Sequence, residues 1–382
     1  MKFLPLIWSA FRRKTARSIL TLLSITVAFL LLGTVTGISA SFGKFLESIP
    51  ENRILVTPRF GGRLPIAYVD QIARVDGVTH VAPNNFIFGS YQDQKNRLLV
   101  SMTDERLLDV APEMNITAET FAALKRVQTG TIVSRELADR YGWTVGNNVP
   151  IESDIPRTDG TRVWTFNVVA IVPDVDSIPG GFMIGNYAFM NEGRADEKNR
   201  GLAFDLRLLV DDPARVGGTS SAIEGLFANS AVAVTALPER IAFENGLQGF
   251  LDIEFFTRAV SAAALFMIIF LTGNVMAQSV RERIPEFAVM KTLGFSDGAI
   301  SLLVLFEAAI PCLIGAGLGL ALAQLTVPLA RLVLPGSGIL PIITPAVVFY
   351  ALAAALLVAA ASGLPAVWRV RHLSVVDALA GR

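Results

Sequence analysis

Ser18–Gly43 reads SILTLLSITVAFLLLGTVTGISASFG, 26 positions without a charged side chain. A helix rises about 1.5 Å per residue, so roughly 20 apolar residues cross the hydrocarbon of a bilayer. This run is long enough. Three more follow: 22 residues between Arg258 and Arg281, 23 from Ala308 to Ala330 and 37 from Leu332 to Trp368. The last exceeds one span, and Pro335, Gly336, Gly338, Pro341 and Pro345 divide it into a short loop and a helix. The pattern predicts four membrane helices over 18–41, 257–280, 300–327 and 345–367, with a short exterior loop at 328–344. The first has a basic start, but its apolar core is longer than the roughly 7–15 residues of a signal-peptide core. It is therefore read as an uncleaved span.

The composition agrees. Hydrophobic residues make up 52% and charged residues 17%, and the mean hydropathy is +0.51. That excludes a disordered chain and argues against an ordinary soluble enzyme. A single Cys, Cys312, excludes a disulfide framework within one chain, and two His, His80 and His372, are too few for a histidine-based metal centre. No cofactor or metal is expected.

Orientation follows from Lys and Arg in tails and short loops. Lys2, Arg12, Arg13, Lys14 and Arg17 precede span one, in an amphipathic segment over 1–17. Arg281, Arg283 and Lys291 lie between spans two and three, and Arg369, Arg371 and Arg382 in the tail, 368–382. Only Arg331 lies between spans three and four, a bias of eleven to one. Both termini and the 281–299 loop are expected in the cytoplasm, and 42–254 outside. The zero net charge hides a polarised chain: residues 42–254 hold 20 Lys/Arg against 28 Asp/Glu, and the remainder is basic. An acidic exterior on a basic membrane base argues against nucleic acid as a partner.

The 42–254 segment is long enough for its own core and mixes β-branched runs with helical patterns. Strands are expected at Asn52–Pro58, Val78–Phe88, Arg97–Met102, Ala203–Val210 and Ala231–Ala236. Helices are expected over Pro65–Val75, with Pro65 in the first turn, and over Asp212–Ala228. A turn is placed at Asp93–Asn96. These βαβ-like halves, 42–104 and 201–254, make one α/β unit around a β-rich inserted lobe, 105–200, which contains Val163–Val172 and a helix capped by Ser134.

Catalytic motifs are missing. Gly37–Phe45 is one residue too long for a phosphate loop, and Phe45 replaces the magnesium-binding hydroxyl. Asp174 and Asp176 are too few for calcium, and Asn115-Ile-Thr117 is an isolated sequon. No catalytic residue is assigned. Gly33 and Gly37 in span one, and Gly315 and Gly319 in span three, form small-residue faces for helix packing within the bundle or between protomers. Glu307 lies inside span three. Either it pairs with Arg281, Arg283 or Lys291 at the cytoplasmic rim, or it relays protons.

The second loop, Arg281–Ser296, reads RERIPEFAVMKTLGFS. Pro285 suits the first turn of a short helix and Gly294 its end. Ile284, Phe287, Met290 and Leu293 are read as one apolar face, with Phe287 and Met290 as anchors in a partner groove and Glu282, Arg283, Glu286 and Lys291 setting register. A membrane-surface linker is the alternative.

The run ERIPEFAVMKTLGFS resembles the coupling-helix signature of MacB/FtsX-type ABC transporter permeases. RRKTARSILTLLSITVAFLLLG resembles the first span of that family, TGTIVSRELADRYGWTVGNNVP its periplasmic domain, and GLPAVWRVRHLSVVDALAGR its closing helix. Asn147-Asn148 stands where the family commonly has a Gly-Asp step. The resemblance implies an α-helical membrane protein of the bacterial inner membrane, with four transmembrane helices and a large periplasmic α/β domain. That domain would combine a split βαβ porter-like lobe with an inserted β-rich lobe. It also implies a separate cytoplasmic ABC ATPase, a second permease protomer in a homo- or heterodimer, and a membrane-fusion or periplasmic partner. ATP binding and hydrolysis would move the periplasmic domains by mechanotransmission, for export or extraction of a substrate. The alternative role is non-transporting control of an envelope partner such as a cell-wall hydrolase. A membrane-anchored exterior enzyme is disfavoured by the poor catalytic inventory.

Overall fold

A computed structural model describes residues 15–175, 178, 180–248, 253–333 and 340–372. The expectations for 1–14, for Asp176 and for 373–382 lie outside these residues. The chain forms two compact units: a helical one (up to Phe42, 251–330 and 340 onward) and an α/β one built chiefly of Gly43–Phe250.

In chain order, α1 is Thr15–Glu47, β1 Arg53–Pro58, β2 Leu64–Pro65, α2 Tyr68–Ile72, β3 Val78–Tyr91, β4 Asp93–Thr103, α3 Leu107–Val110 and α4 Ala118–Arg126. Then come β5 Gly130–Ser134, α5 Arg135–Tyr141, β6 Asn148–Ser153, β7 Val163–Val172, β8 Met183–Asn186 and α6 Tyr187–Gly193. β9 Leu202–Ala203, β10 Asp205–Val210, α7 Val216–Leu226, β11 Val234–Pro238 and α8 Glu239–Gln248 complete the α/β unit. α9 Ile253–Glu282, α10 Ile284–Thr292, α11 Asp297–Val333 and α12 Pro345–Arg371 follow.

Nine strands form one sheet in the order β11-β1-β10-β3-β4-β8-β5-β7-β6. β11, β1, β10 and β3 pair antiparallel throughout. With α2 between β1 and β3, and α7 between β10 and β11, they make a β-α-β-β-α-β unit interrupted after its second strand. Ile54, Val56, Leu206, Leu208 and Val234 face Val69, Ile72, Val216 and Ile223 in one apolar core. The other strands close on themselves, because β6 pairs with β7 and also with β3 at Gly89↔Ser153. Six strands thus form a barrel whose centre holds Trp164, Phe166, Val100 and Met102. Gly89 permits the closure: a Cβ there would lie 2.5 Å from the Glu152 carbonyl oxygen.

Several local expectations change. Pro65 belongs to β2 rather than to the first turn of a helix, because residues 64–65 pair with β9. The β3–β4 reversal occurs at Gln92, with φ +60°, so Asp93–Asn96 already belong to β4. Ser134 precedes α5, but its hydroxyl accepts from the Phe182 amide at 3.0 Å. The free Glu136 amide is capped instead by Asp174, the calcium candidate, at 2.7 Å. Asn147 closes its own turn by accepting from the Thr144 amide at 2.8 Å, so the departure from Gly-Asp leaves no unsatisfied amide there.

Among the described residues four helices are long and apolar enough to cross a membrane: Ser18–Glu47, Phe255–Glu282, Asp297–Leu329 and Pro345–Arg371. Each extends past its uncharged run, since charge ends hydrocarbon residence and not helix propagation. The core of the helical unit is dominated by small and medium side chains, among them Ile25, Ala308, Ala316, Ala351, Ala355 and Val358. Glycine sets the closest approaches. A Cβ on Gly319 would lie 2.7 Å from the Leu30 amide nitrogen, and one on Gly315 would lie 2.5 Å from Ile25 Cγ2. Gly33 faces Leu320 and Ala323, and Gly37 faces Pro341 and Ile342. All four glycines therefore face neighbours within the protomer, where their lack of a side chain lets the backbones meet.

Candidate functional site

The site is the joint between α9, α10 and α11. α9 ends at Glu282, and Arg283 leaves the helical region at φ −112°, ψ 12°. Pro285 then sits in the first turn of α10, where its missing N–H costs no helix bond. Gly294, at φ +90°, ends the helix in a conformation that other residues adopt only with strain.

Charges tie this short helix down at both ends. Arg283 Nη1 donates to Glu307 Oε2 at 2.6 Å, and its Nε donates to Glu286 Oε2 at 2.9 Å. Ser279 Oγ donates to the other Glu307 oxygen at 3.2 Å. The Arg283 guanidinium lies 5.3 Å from the Phe287 ring centroid, in cation–π range. Beyond the far end, Lys291 Nζ pairs with Asp297 at 2.9 Å and reaches the Arg371 carbonyl at 3.4 Å. Arg371 Nε in turn donates to Ser301 Oγ at 3.3 Å. Of the partners weighed for Glu307, the structure selects Arg283. Gln278 Nε2 donates to Glu282 at 3.3 Å on the exposed side.

Phe287 is not an outward anchor. It is 1% exposed and packs in the bundle core, with Met290 half-buried against the same core. The outward apolar residues are Val289, Leu293 and Phe295, at 47%, 72% and 43% exposure. The reason is geometric. At about 100° per residue, three steps of three residues turn through half a circle. Ile284 and Leu293 therefore lie on opposite sides of α10, and the expected single face is a spiral.

A second charged assembly, in the α/β unit, escaped the sequence reading. Arg53 on β1 is buried and pairs through Nε with Glu239 at the start of α8 and through Nη1 with Glu113 at 2.6 Å. Its Nη1 also donates to the Val110 carbonyl at 3.1 Å. Arg207 on β10 faces Glu239 at 3.5 Å and Asp205 at 3.7 Å. Asn84 on β3 donates to Asp205. Burial pushes the Asp205 carboxyl up to about 6, against the opposing pull of Arg207. The signal lay in RILVTP and DLRLLV: charged residues alternate with apolar ones in strands whose apolar residues face α2 and α7, so the charges share the opposite face. His80, by contrast, lies 3.7 Å from Asp109, both half-exposed.

α10 thus joins the second and third of the four apolar helices and is fastened at both of its ends. The family model of the MacB-like periplasmic core domain matches residues 18–226, and that of the FtsX-like permease C-terminal region matches 258–375. The chain belongs to the MacB/FtsX-type family of ABC transporter permeases. The four helices and the periplasmic core domain fit an inner-membrane protein with a periplasmic domain. The extracellular domain of the noncanonic ABC-type transporter YknZ from Gram-positive bacteria is similar at 11% identity and a TM-score of 0.37, covering 49% of this chain and 100% of that one. The periplasmic region of MacB from Actinobacillus actinomycetemcomitans is similar at 11% identity and a TM-score of 0.37, covering 54% and 98%. No curated protein matches the chain.

Proposed function

We propose that the chain is the membrane permease subunit of an ABC transporter and couples ATP hydrolysis by a separate cytoplasmic ATPase to motion of its periplasmic domain, for export or extraction of a substrate. Both termini and α10 are cytoplasmic in this reading, and a second permease protomer completes the transporter. The observation that carries it is the two-sidedness of α10. One side is fastened to the bundle, and the other presents Val289, continued just past the helix end by Leu293 and Phe295, to a partner. Such an apolar ridge on a short rim helix suits insertion into a groove. Glu282 and Glu286 flank the ridge and orient the encounter, Arg283 and Lys291 hold the helix, and Gly294 ends it. Phe287 and Met290 support the ridge from beneath.

The test is co-purification of the full-length chain with its cognate ATPase. Val289→Asp combined with Leu293→Asp should weaken the complex by about tenfold or more, because truncating or charging an apolar anchor costs about 1–3 kcal/mol. The permease-dependent rise in ATP hydrolysis should fall with it. Retention of both signals in a normally inserted variant would remove α10 from the interface.

A further inference from the structure

Glu307 is the least expected residue of the helical unit. A carboxylate inside an apolar span is costly unless it is paired, and such residues mark function. Both of its oxygens are engaged, one by Ser279 on the last turns of α9 and one by Arg283 at the joint. Its side chain is 12% exposed and that of Arg283 is 13% exposed, so water competes little for the pair. Arg283 is also the residue at which the helical conformation breaks between α9 and α10. A break of this kind is free to bend unless something holds it. The Glu307 carboxylate holds it from a third helix, while the same guanidinium engages Glu286 in the first turn of α10.

The second fastening is independent. Lys291, in the last turn of α10, pairs with Asp297 at the start of α11. Asp297 and Glu307 are ten residues apart on α11, about 15 Å by helix rise. A short helix tied to a long one at a single point pivots. Tied at two points that far apart, it cannot tilt against the long helix without breaking an ion pair. Phe287, packed between the two fastenings, removes the remaining slack.

We propose that Glu307 is a positioning residue for force transmission: with Ser279 and Arg283 it locks the α9–α10 joint, so that displacement of α10 is delivered to α11 and not absorbed as bending. The role rests on the reading of α10 as the ATPase seat. It is distinct from ATPase binding, because Glu307 points into the bundle and takes no part in the Val289–Leu293–Phe295 ridge.

The experiment uses the full-length chain co-expressed with its cognate ABC ATPase, in lipid nanodiscs, with hydrolysis normalised to bound ATPase. Glu307→Gln should co-purify as the wild type does and leave the KM for ATP unchanged. The permease-dependent gain in kcat should drop by at least about fivefold, the low end of coupling between linked sites. A merely structural role would lower the yield of complex and leave the kcat of what forms unmoved. Arg283→Gln should show the same loss of kcat gain in whatever complex forms, and the double variant should be no worse than Arg283→Gln alone; additive losses would overturn the pairing. Should Glu307→Gln fail to accumulate, Glu307→Asp, which keeps the charge but shortens its reach, is read in the same assay and should show a smaller loss of the same kind. A wild-type gain in either variant, with the complex intact, overturns the proposal. A wild-type chain that neither binds nor stimulates the ATPase overturns the reading of α10, and the transmission role falls with it.

Discussion

The two units confine charge in similar numbers and solvate it differently. The rim assembly has two bases, Arg283 and Lys291, and three acids, Glu286, Asp297 and Glu307. The assembly of the α/β unit also has two bases, Arg53 and Arg207, and three acids, Glu113, Asp205 and Glu239. At the rim the surplus negative charge reaches water, since the side chains of Glu286 and Asp297 are 39% and 54% exposed. In the α/β unit Glu239 and Asp205 have almost no contact with solvent, and one oxygen of Glu113 is buried without a hydrogen-bond partner. Charge that water cannot reach is costly to form, and burial, with a smaller push from Glu239, raises the Asp205 carboxyl to about 6. Equal counts therefore leave the surplus charge hydrated beside α10 and buried on the β-sheet face, where Asp205 makes stability respond to mild acid.

The largest expected effect comes from Glu239→Ala. It removes the carboxylate that pairs with the buried Arg53 and faces the partly exposed Arg207, and should destabilise the α/β unit by about 3 kcal/mol, the low end of the cost of breaking a buried ion pair, since Arg53 keeps Glu113. Thermal unfolding of the full-length chain measures it. A loss near zero would mean that water enters the cluster and would erase the contrast between the units.

An effect of at most that size belongs to Asp205, and its sign is fixed by the raised pKa. Below its ordinary value of 3.8 both folded and unfolded chains carry the proton, and the group costs nothing. As pH rises from 3.8 to about 6 the unfolded chain ionises first, so stability falls. Above that window the full cost stands, on the order of 3 kcal/mol. Asp205→Asn should flatten this slope. Amide exchange of β10 at pH 4.5 and 7.5 tests it, and a wild type with no greater protection at the lower pH would count against the assignment.

The smallest effect should follow Glu286→Gln at the rim. A half-exposed partner of an arginine that keeps Glu307 contributes under about 1 kcal/mol. A loss as large as that of Glu239→Ala, in the same unfolding measurement, would show that the rim is as dry as the sheet.

Much of this was legible in the chain, for identifiable reasons. Uncharged runs such as 18–43 mark the spans because hydrocarbon tolerates no unpaired charge. Pro285 and Gly294 mark α10 because each constrains its own backbone. Glu307 announced that it needed a partner, and three basic residues stood within reach. What periodicity cannot supply is which side of a nine-residue helix turns inward, and so Phe287 was expected outside and lies inside. Nor does local sequence reveal the return of β6 to β3: that contact joins residues 89 and 153, and only Gly89 hints at it. The charged sheet face was missed because an Arg or an Asp in a strand ordinarily points to water, and whether a helix such as α8 covers it is decided far along the chain.

β3 carries a constraint on inheritance. Val81 packs in the core under α2 and α7, and Ile87, six residues along the same strand, packs in the barrel. One alternation of side chains thus serves two interiors. Inserting or deleting a single residue between them would keep one interior intact and turn the other inside out. Length changes in this stretch are tolerable only in pairs, and the two lobes must descend in phase.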